Sequence, residues 1–243
     1  MISVRGLYKS FDGQPVLKGI DLDIRDNETI VILGPSGQGK TVFIKALVRL
    51  LEPDAGTIDY DGANIVGMSR KRFRKFQKDI AFVFQNSALF DFLTVSDNLG
   101  LFLQMHQRIT PAEIEDEISR ALAFVGLDKS VLDKFPEELS GGMKKRVAIA
   151  RAMIKRPKYL FYDEPTTGLD RGSAEKVSEL ISMLHGEIAV TSIIVTHDIK
   201  LMQDVSDRVA LLKDGQIVFT GSKDEVSPEM LTFLYQTGEN NGL

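Results

Sequence analysis

The apolar positions of this chain follow two periods that alternate along its length. Ile20-Asp21-Leu22-Asp23-Ile24 switches between apolar and acidic at every step, and Ile2 to Val4 fits the same half-buried antiparallel strand pattern. Thr29 to Leu33 (TIVIL) carries no such alternation and predicts a strand covered on both faces. A helical spacing follows from about Lys40 to Leu51, and strand-like runs recur at Thr57–Tyr60, Ile80–Phe84, Tyr159–Tyr162 and Ser192–Val195. Helical stretches lie between several of these runs, which predicts an α/β fold with a mostly parallel sheet. Towards the end, VALLKDGQIVFTG places Asp214-Gly215 between two β runs, a hairpin signal.

Between Gln85 and about Pro157 the pattern turns helical. PAEIEDEISRALAFV (111–125) opens with a proline and keeps its apolar positions at helical spacing. The expected organisation is one domain over 1–243. Its α/β core comprises 1–85 and 156–243, with a helical lobe, 86–155, inserted. SPEMLTFLYQTG predicts a brief amphipathic helix with Met230, Leu231, Phe233 and Leu234 available for one face, followed by polar ENNGL.

Composition narrows the function. With 243 residues, 43% of them hydrophobic, the chain can bury a sizeable core. A net charge of −4 provides no global field for nucleic acid, so no nucleic-acid partner is expected. There is no cysteine, which excludes disulfides, thiolate metal sites and cysteine nucleophiles and suits a reducing cytoplasm. The opening MISVRGLYKSF lacks a signal-peptide pattern, and no apolar run approaches the ~18–20 residues of a bilayer span. A membrane connection is therefore expected to run through a partner. The basic run Arg70 to Lys75 could face nucleic acid or anionic lipid, but a solvated helix face is the preferred reading because the rest of the chain offsets its charge.

The chemistry begins at GPSGQGKT, between the buried strand and the helix, which fits the phosphate-loop pattern in context. Gly34, Pro35, Ser36, Gly37, Gln38 and Gly39 form a loop whose backbone N–H groups can turn onto phosphates, with the helix dipole adding favourable potential. Lys40 would reach the β- and γ-phosphate oxygens and Thr41 would place its hydroxyl on Mg²⁺. YLFYDE ends a strand in two acids. Asp163 suits a Mg²⁺-directed carboxylate and Glu164 could polarise water for attack on a γ-phosphate; alone, the pair would read as a turn. His197 follows SIIVT at a strand's carboxyl end, where open α/β sheets place ligands, although a lone histidine there also suits a cap or the core. Gln85 ends IAFVF. Finally, LSGGMKKR (139–146) sets a serine and two glycines before a helical pattern, which is the chemistry of a second phosphate-binding helix start.

Phe11, GPSGQGKT, Gln85, LSGG, YLFYDE, Gly168-Leu169-Asp170 and His197 stand in the order found in the ATPase subunits of ATP-binding cassette (ABC) transporters, which the chain resembles over nearly its whole length. The resemblance implies a P-loop NTPase of the ABC ATPase type: a mostly parallel core, an antiparallel β subdomain and an inserted helical lobe. It implies an ATPase using ATP and Mg²⁺, on the cytoplasmic face of the inner membrane. Phe11 would stack on adenine, with Tyr8 as the alternative. Thr41, Gln85 and Asp163 would serve the metal, with Gln85 also contacting the attacking water and hinging the lobe. Glu164 would be the general base, with His197 at the γ-phosphate. Two copies would pack head to tail, so that Ser140, Gly141 and Gly142 of one close over the γ-phosphate of the other, while Asp170 couples the two sites.

Two positions depart from the usual family pattern. Val42 replaces a Ser or Thr whose hydroxyl contacts the α-phosphate, which would weaken ATP binding. Met143 replaces the usual glutamine of the signature. With ALFDFLTVSDNL and YDEPTTGLD, it resembles the Mla-type subclass that powers phospholipid trafficking with MCE-type lipid-binding proteins. The implied partners are a second copy, an integral membrane permease, docked near Leu89, Phe90 and Phe92, and an MCE-type protein. The alternatives are an importer or exporter of another substrate, with Met143 a tolerated substitution, and a soluble ABC-type ATPase in DNA repair, translation or cluster assembly. A nucleotide-binding module without turnover is disfavoured by the presence of both Glu164 and His197.

Overall fold

The computed structural model describes residues 1–106, 109–187 and 189–236. The chain divides into two compact units, Met1–Ser69 with Ile193–Leu243, and Arg70–Ser192. The fold is of the α/β class, with an antiparallel sheet beside parallel strands.

In the first unit, β1 (Ile2–Phe11) pairs antiparallel with β2 (Gln14–Ile24) and with β4 (Ala55–Tyr60), and β5 (Ala63–Asn64) extends the sheet from β4. Both β1 and β2 are longer than their alternation shows. Register shifts between Val4 and Leu7, between Leu7 and Tyr8, and between Lys9 and Ser10 interrupt the period of two that marks a strand in sequence. A second set of strands runs β10 (Gln216–Ser222), β9 (Arg208–Lys213), β3 (Thr29–Leu33), then β8 (Thr191–Thr196). β3 lies parallel to β9, with Ile30 opposite Arg208 and Leu33 opposite Leu211, while β10 returns antiparallel through Asp214-Gly215. Every residue of β3 is buried, as a strand covered on both faces requires.

The helix α1 (Lys40–Leu47) follows β3 directly. It stops four residues short of the predicted Leu51, because Arg49 turns left-handed (φ 57) and Leu50 N–H reaches back to the Lys45 carbonyl at 2.9 Å. α7 (Ile199–Val205) is capped by Asp198, whose Oδ1 accepts from Leu201 N–H at 3.1 Å. α8 (Pro228–Tyr235) is capped by Ser227. Of the four apolar residues predicted for one face, Leu234 is buried and Phe233 exposed, because adjacent helical residues point about 100° apart. The remainder of that segment, 237–243, lies outside the described residues.

In the second unit, β6 (Ile80–Val83) and β7 (Tyr159–Asp163) pair in parallel, with Val83 opposite Tyr162. α2 (Arg70–Gln77) precedes them; it buries only Phe73 and leaves its basic side chains exposed. Residues 86–155 hold α3 (Val95–His106), α4 (Pro111–Phe124) and α5 (Gly141–Ile154), which pack on one another. α4 begins with a capping box: Thr110 Oγ1 accepts from Glu113 N–H, and the Glu113 carboxylate accepts from Thr110 N–H. α6 (Arg171–Glu187) completes the unit and packs on α5.

Candidate functional site

The first unit carries Phe11, residues 34–42 and His197. Gly34 leaves β3 so close to β9 that a Cβ there would lie 2.4 Å from the Leu212 carbonyl oxygen, and its N–H donates to Thr196 O at 3.2 Å. Gly37 (φ 82) and Gly39 (φ 94) take the left-handed conformations that turn successive N–H groups the same way. Gly39 is also the N-cap of α1 and supplies no side-chain cap, and no acid stands in the helix's first turn. The helix dipole is therefore not neutralised locally, as an anion site needs. Lys40, 5% exposed, folds its ammonium over the loop and donates to the carbonyls of Gly34 (2.8 Å) and Pro35 (2.9 Å). Gln38 ties the loop to the β9–β10 turn, its side-chain oxygen accepting from Asp214 N–H. Thr41 and Val42 are half-buried on the first turn.

Phe11 ends β1 with 43% of its surface exposed, and Lys9 Nζ sits 5.4 Å from its ring centre. Tyr8 is only slightly less exposed, so exposure does not distinguish the two as a stacking surface. His197 follows β8 and is exposed; its carbonyl accepts from the Tyr235 hydroxyl of α8 at 2.8 Å.

The second unit carries Gln85, Ser140, Gly141, Gly142, Asp163, Glu164 and Asp170. Asp163 closes β7 at 3% exposure and Glu164, at 7%, turns left-handed (φ 48), with its Oε2 accepting from the Thr167 hydroxyl at 3.1 Å. Gln85, just beyond β6, is exposed. The ends of β6 and β7 lie side by side, so the structure brings Gln85 and Glu164 to the same edge. Ser140 caps α5, its hydroxyl accepting from Met143 N–H at 3.3 Å, and is exposed together with Gly141. Gly142 is buried against Ser173, whose Oγ would lie 2.6 Å from an added Cβ. Asp170 starts α6; the Ser173 hydroxyl, and then its N–H at 3.0 Å, hold the carboxyl below its ordinary range.

Three contacts were not foreseen from sequence. Lys145, 3% exposed, directs its ammonium at the carbonyls of Gln85 (2.5 Å), Phe84 (3.3 Å) and Glu164 (3.4 Å). Burial pushes its pKa down to about 8, and the charges of Asp163 and Glu164 pull the other way. Arg151 donates to the carbonyls of Ala88 (2.8 Å) and Ser87 (3.1 Å), and Tyr235 holds His197 as described. One signal was available: Gly142, Lys145, Ile149 and Ala152 share the buried stripe of α5, and a charge on such a stripe needs an acceptor.

The stretch that follows Gln85 exposes two aromatic rings. Phe90 and Phe92 are 43% and 77% exposed with ring centres 5.8 Å apart, and Leu89 is half-buried. Among the described residues no helix is long and apolar enough to cross a membrane, and no three His, Cys, Asp or Glu residues cluster as a metal cage.

The family model "ABC transporter" matches residues 17–167. Over 92% of its length the chain is 37% identical to a probable ribonucleotide transport ATP-binding protein mkl of Mycobacterium leprae, and spans 64% of that protein. It is also 37% identical to the chloroplastic protein trigalactosyldiacylglycerol 3 of Arabidopsis thaliana, with all of this chain and 75% of that one covered. Other relatives are named for spermidine/putrescine and phosphonates import. Among solved structures, the ATP-binding cassette MJ0796, a dimer in a post-hydrolysis state bound to ADP and Pi, superposes with a TM-score of 0.84. It is 30% identical, with 92% of this chain and 99% of that one covered.

Proposed function

The chain belongs to the ABC transporter family and carries its ATPase domain, and from that premise we propose that it is the ATP-hydrolysing motor of a transporter. The observation that carries the reading is the loop between β3 and α1. Its glycines are left-handed or too crowded for a side chain, its helix start is uncapped, and Lys40 is buried over it. That cradle fits a nucleotide's phosphates. Phe11 stacks on the base, and Gly34 to Val42 hold the phosphates. Thr41, Gln85 and Asp163 offer a hydroxyl, an amide and one carboxylate, the hard oxygen donors that suit Mg²⁺. When bound, that ion neutralises charge on the transferred phosphate. Glu164 takes the proton of the attacking water and His197 contacts the γ-phosphate.

Two copies bind head to tail around two ATP, Ser140 to Gly142 of each closing on the other's nucleotide and Asp170 coupling the sites. The dimeric state of MJ0796 supports this arrangement. The chain acts at the cytoplasmic face of the inner membrane, on an integral membrane permease that contacts the exposed Phe90 and Phe92. Nucleic acid is not a partner.

The cargo we propose is phospholipid, delivered with an MCE-type lipid-binding protein. Met143 and the subclass likeness of residues 88–99 and 162–170 support it, as does a 37% identical relative that bears a glycerolipid's name. The ribonucleotide, polyamine and phosphonate names of other relatives favour the second reading, a transporter of another substrate. The experiment is a pull-down of the tagged chain from membranes in mild detergent, with proteins and lipids identified. One multi-spanning protein with an MCE-type subunit and phospholipid is the expected result. A different permease without lipid would replace the cargo, and a chain with no membrane partner would remove the transport reading.

A further inference from the structure

We infer that Lys145 is a positioning residue for ATP hydrolysis: its ammonium fastens α5, the helix that begins at Ser140, to the backbone of both Gln85 and Glu164. The inference rests on the function proposed above. Lysine is almost never fully buried unless its charge is matched, and a buried ammonium needs a partner for each N–H. Lys145 has three N–H groups and meets three carbonyls, those of Gln85 at 2.5 Å, Phe84 at 3.3 Å and Glu164 at 3.4 Å. These carbonyls belong to two segments. The strand ladder between β6 and β7 ends at Val83 opposite Tyr162. Beyond it, the two chains carrying Gln85 and Glu164 are joined by the lysine instead of by strand pairing.

The backbone around this junction is of a kind that needs holding. Glu164 (φ 48), Ser87 (φ 62) and Ala88 (φ 46) all adopt a conformation that residues with side chains rarely take. Six residues further along α5, Arg151 donates to the carbonyls of Ser87 and Ala88. One helix thus grips residues 84–88 at two places and Glu164 at one. Its first turn presents Ser140 and Gly141, so the Lys145 ammonium carries a displacement of the helix to both Gln85 and Glu164. A glutamine at position 145 would offer two N–H groups on a shorter side chain, and a methionine none.

The test compares steady-state ATP hydrolysis by the full chain, K145M, K145Q, E164Q and the K145M/E164Q double variant. K145M is expected to lower kcat at least about tenfold while KM for ATP stays within about threefold, with K145Q intermediate. In the E164Q background the carboxylate being positioned is already gone and only the hold on Gln85 remains to be lost, so K145M should lower the residual rate by about threefold or less, against at least about tenfold in the wild-type background. A lysine that merely stabilised the fold would reduce both backgrounds alike, and that result would overturn the inference. So would K145M and K145Q turning over at the wild-type rate. If K145M fails to fold, K145Q carries the same comparison, singly and with E164Q. Absence of ATP hydrolysis by the wild-type chain would overturn the proposed function itself, and it is read before any Lys145 variant is compared.

Discussion

In the variant G34A, the added methyl would stand 2.4 Å from the Leu212 carbonyl oxygen, where ordinary contact begins near 3.4 Å. About 1 Å of relief is required. Neither side yields cheaply, because both are backbone: Gly34 N–H is bonded to Thr196 O at 3.2 Å, and Leu33 is paired with Leu211. Overpacking of this kind costs ~1–3 kcal/mol. For a chain of this size each kcal/mol lowers Tm by ~2–4 °C, so G34A should melt ~2–12 °C below wild type. The same displacement moves the carbonyl that accepts from Lys40 at 2.8 Å. A Lys40 ammonium displaced in this way forfeits one charge-assisted hydrogen bond to phosphate, ~1.5–3 kcal/mol, and ATP binding should weaken roughly ten- to a hundredfold. Thermal unfolding with and without nucleotide reads the first effect, and titration with a fluorescent ATP analogue reads the second. G186A is the control: a Cβ at Gly186 in α6 meets nothing within 4 Å, and alanine favours a helix, so Tm should hold or rise. Wild-type Tm and affinity in G34A would refute the crowding argument.

Glu164→Gln should cut turnover by ~10²–10⁴-fold and leave ATP binding intact, measured by phosphate release and by titration. Val42→Thr returns a hydroxyl to the first turn of α1 and should tighten ATP binding by about tenfold; an unchanged Kd would remove that role from the position. Asp54 accepts from Lys9 Nζ (2.6 Å), Ser10 N–H (2.6 Å) and Ser10 Oγ (2.9 Å), which hold its pKa down at about 2. A carboxyl depressed in the folded state stabilises above its unfolded pKa, and the effect fades as pH falls through the folded one. Asp54→Asn should therefore lower Tm at pH 7, with the gap to wild type closing between about pH 4 and pH 2. A gap that stays constant down to pH 2 would contradict the assignment.

Much of the phosphate loop was legible because it depends on residue type. TIVIL predicted a buried strand, and all five of its residues are buried. Glycine spacing marked the turn, and Lys40-Thr41 marked the helix start. β1 and β2 were legible only in part because register shifts break the alternation, and the end of α1 was missed because an arginine rather than a glycine takes the left-handed turn. Lys145, Arg151 and Tyr235 stayed hidden for a common reason. Their partners are backbone carbonyls, which every residue has and which leave no mark in a sequence. Conversely, the exposure of Ser140, Gly141 and Asp170 fits residues whose proposed partner is a second copy of the chain.

Light scattering coupled to gel filtration of the Glu164→Gln variant tests directly for that second copy. With Mg²⁺ and ATP the variant should elute at the mass of two chains, because the uncleaved γ-phosphate joins Ser140 to Gly142 of one copy to the phosphate loop of the other. With ADP it should elute as one. A single-chain mass in saturating ATP, with nucleotide bound, would contradict the head-to-tail dimer and the motor built on it.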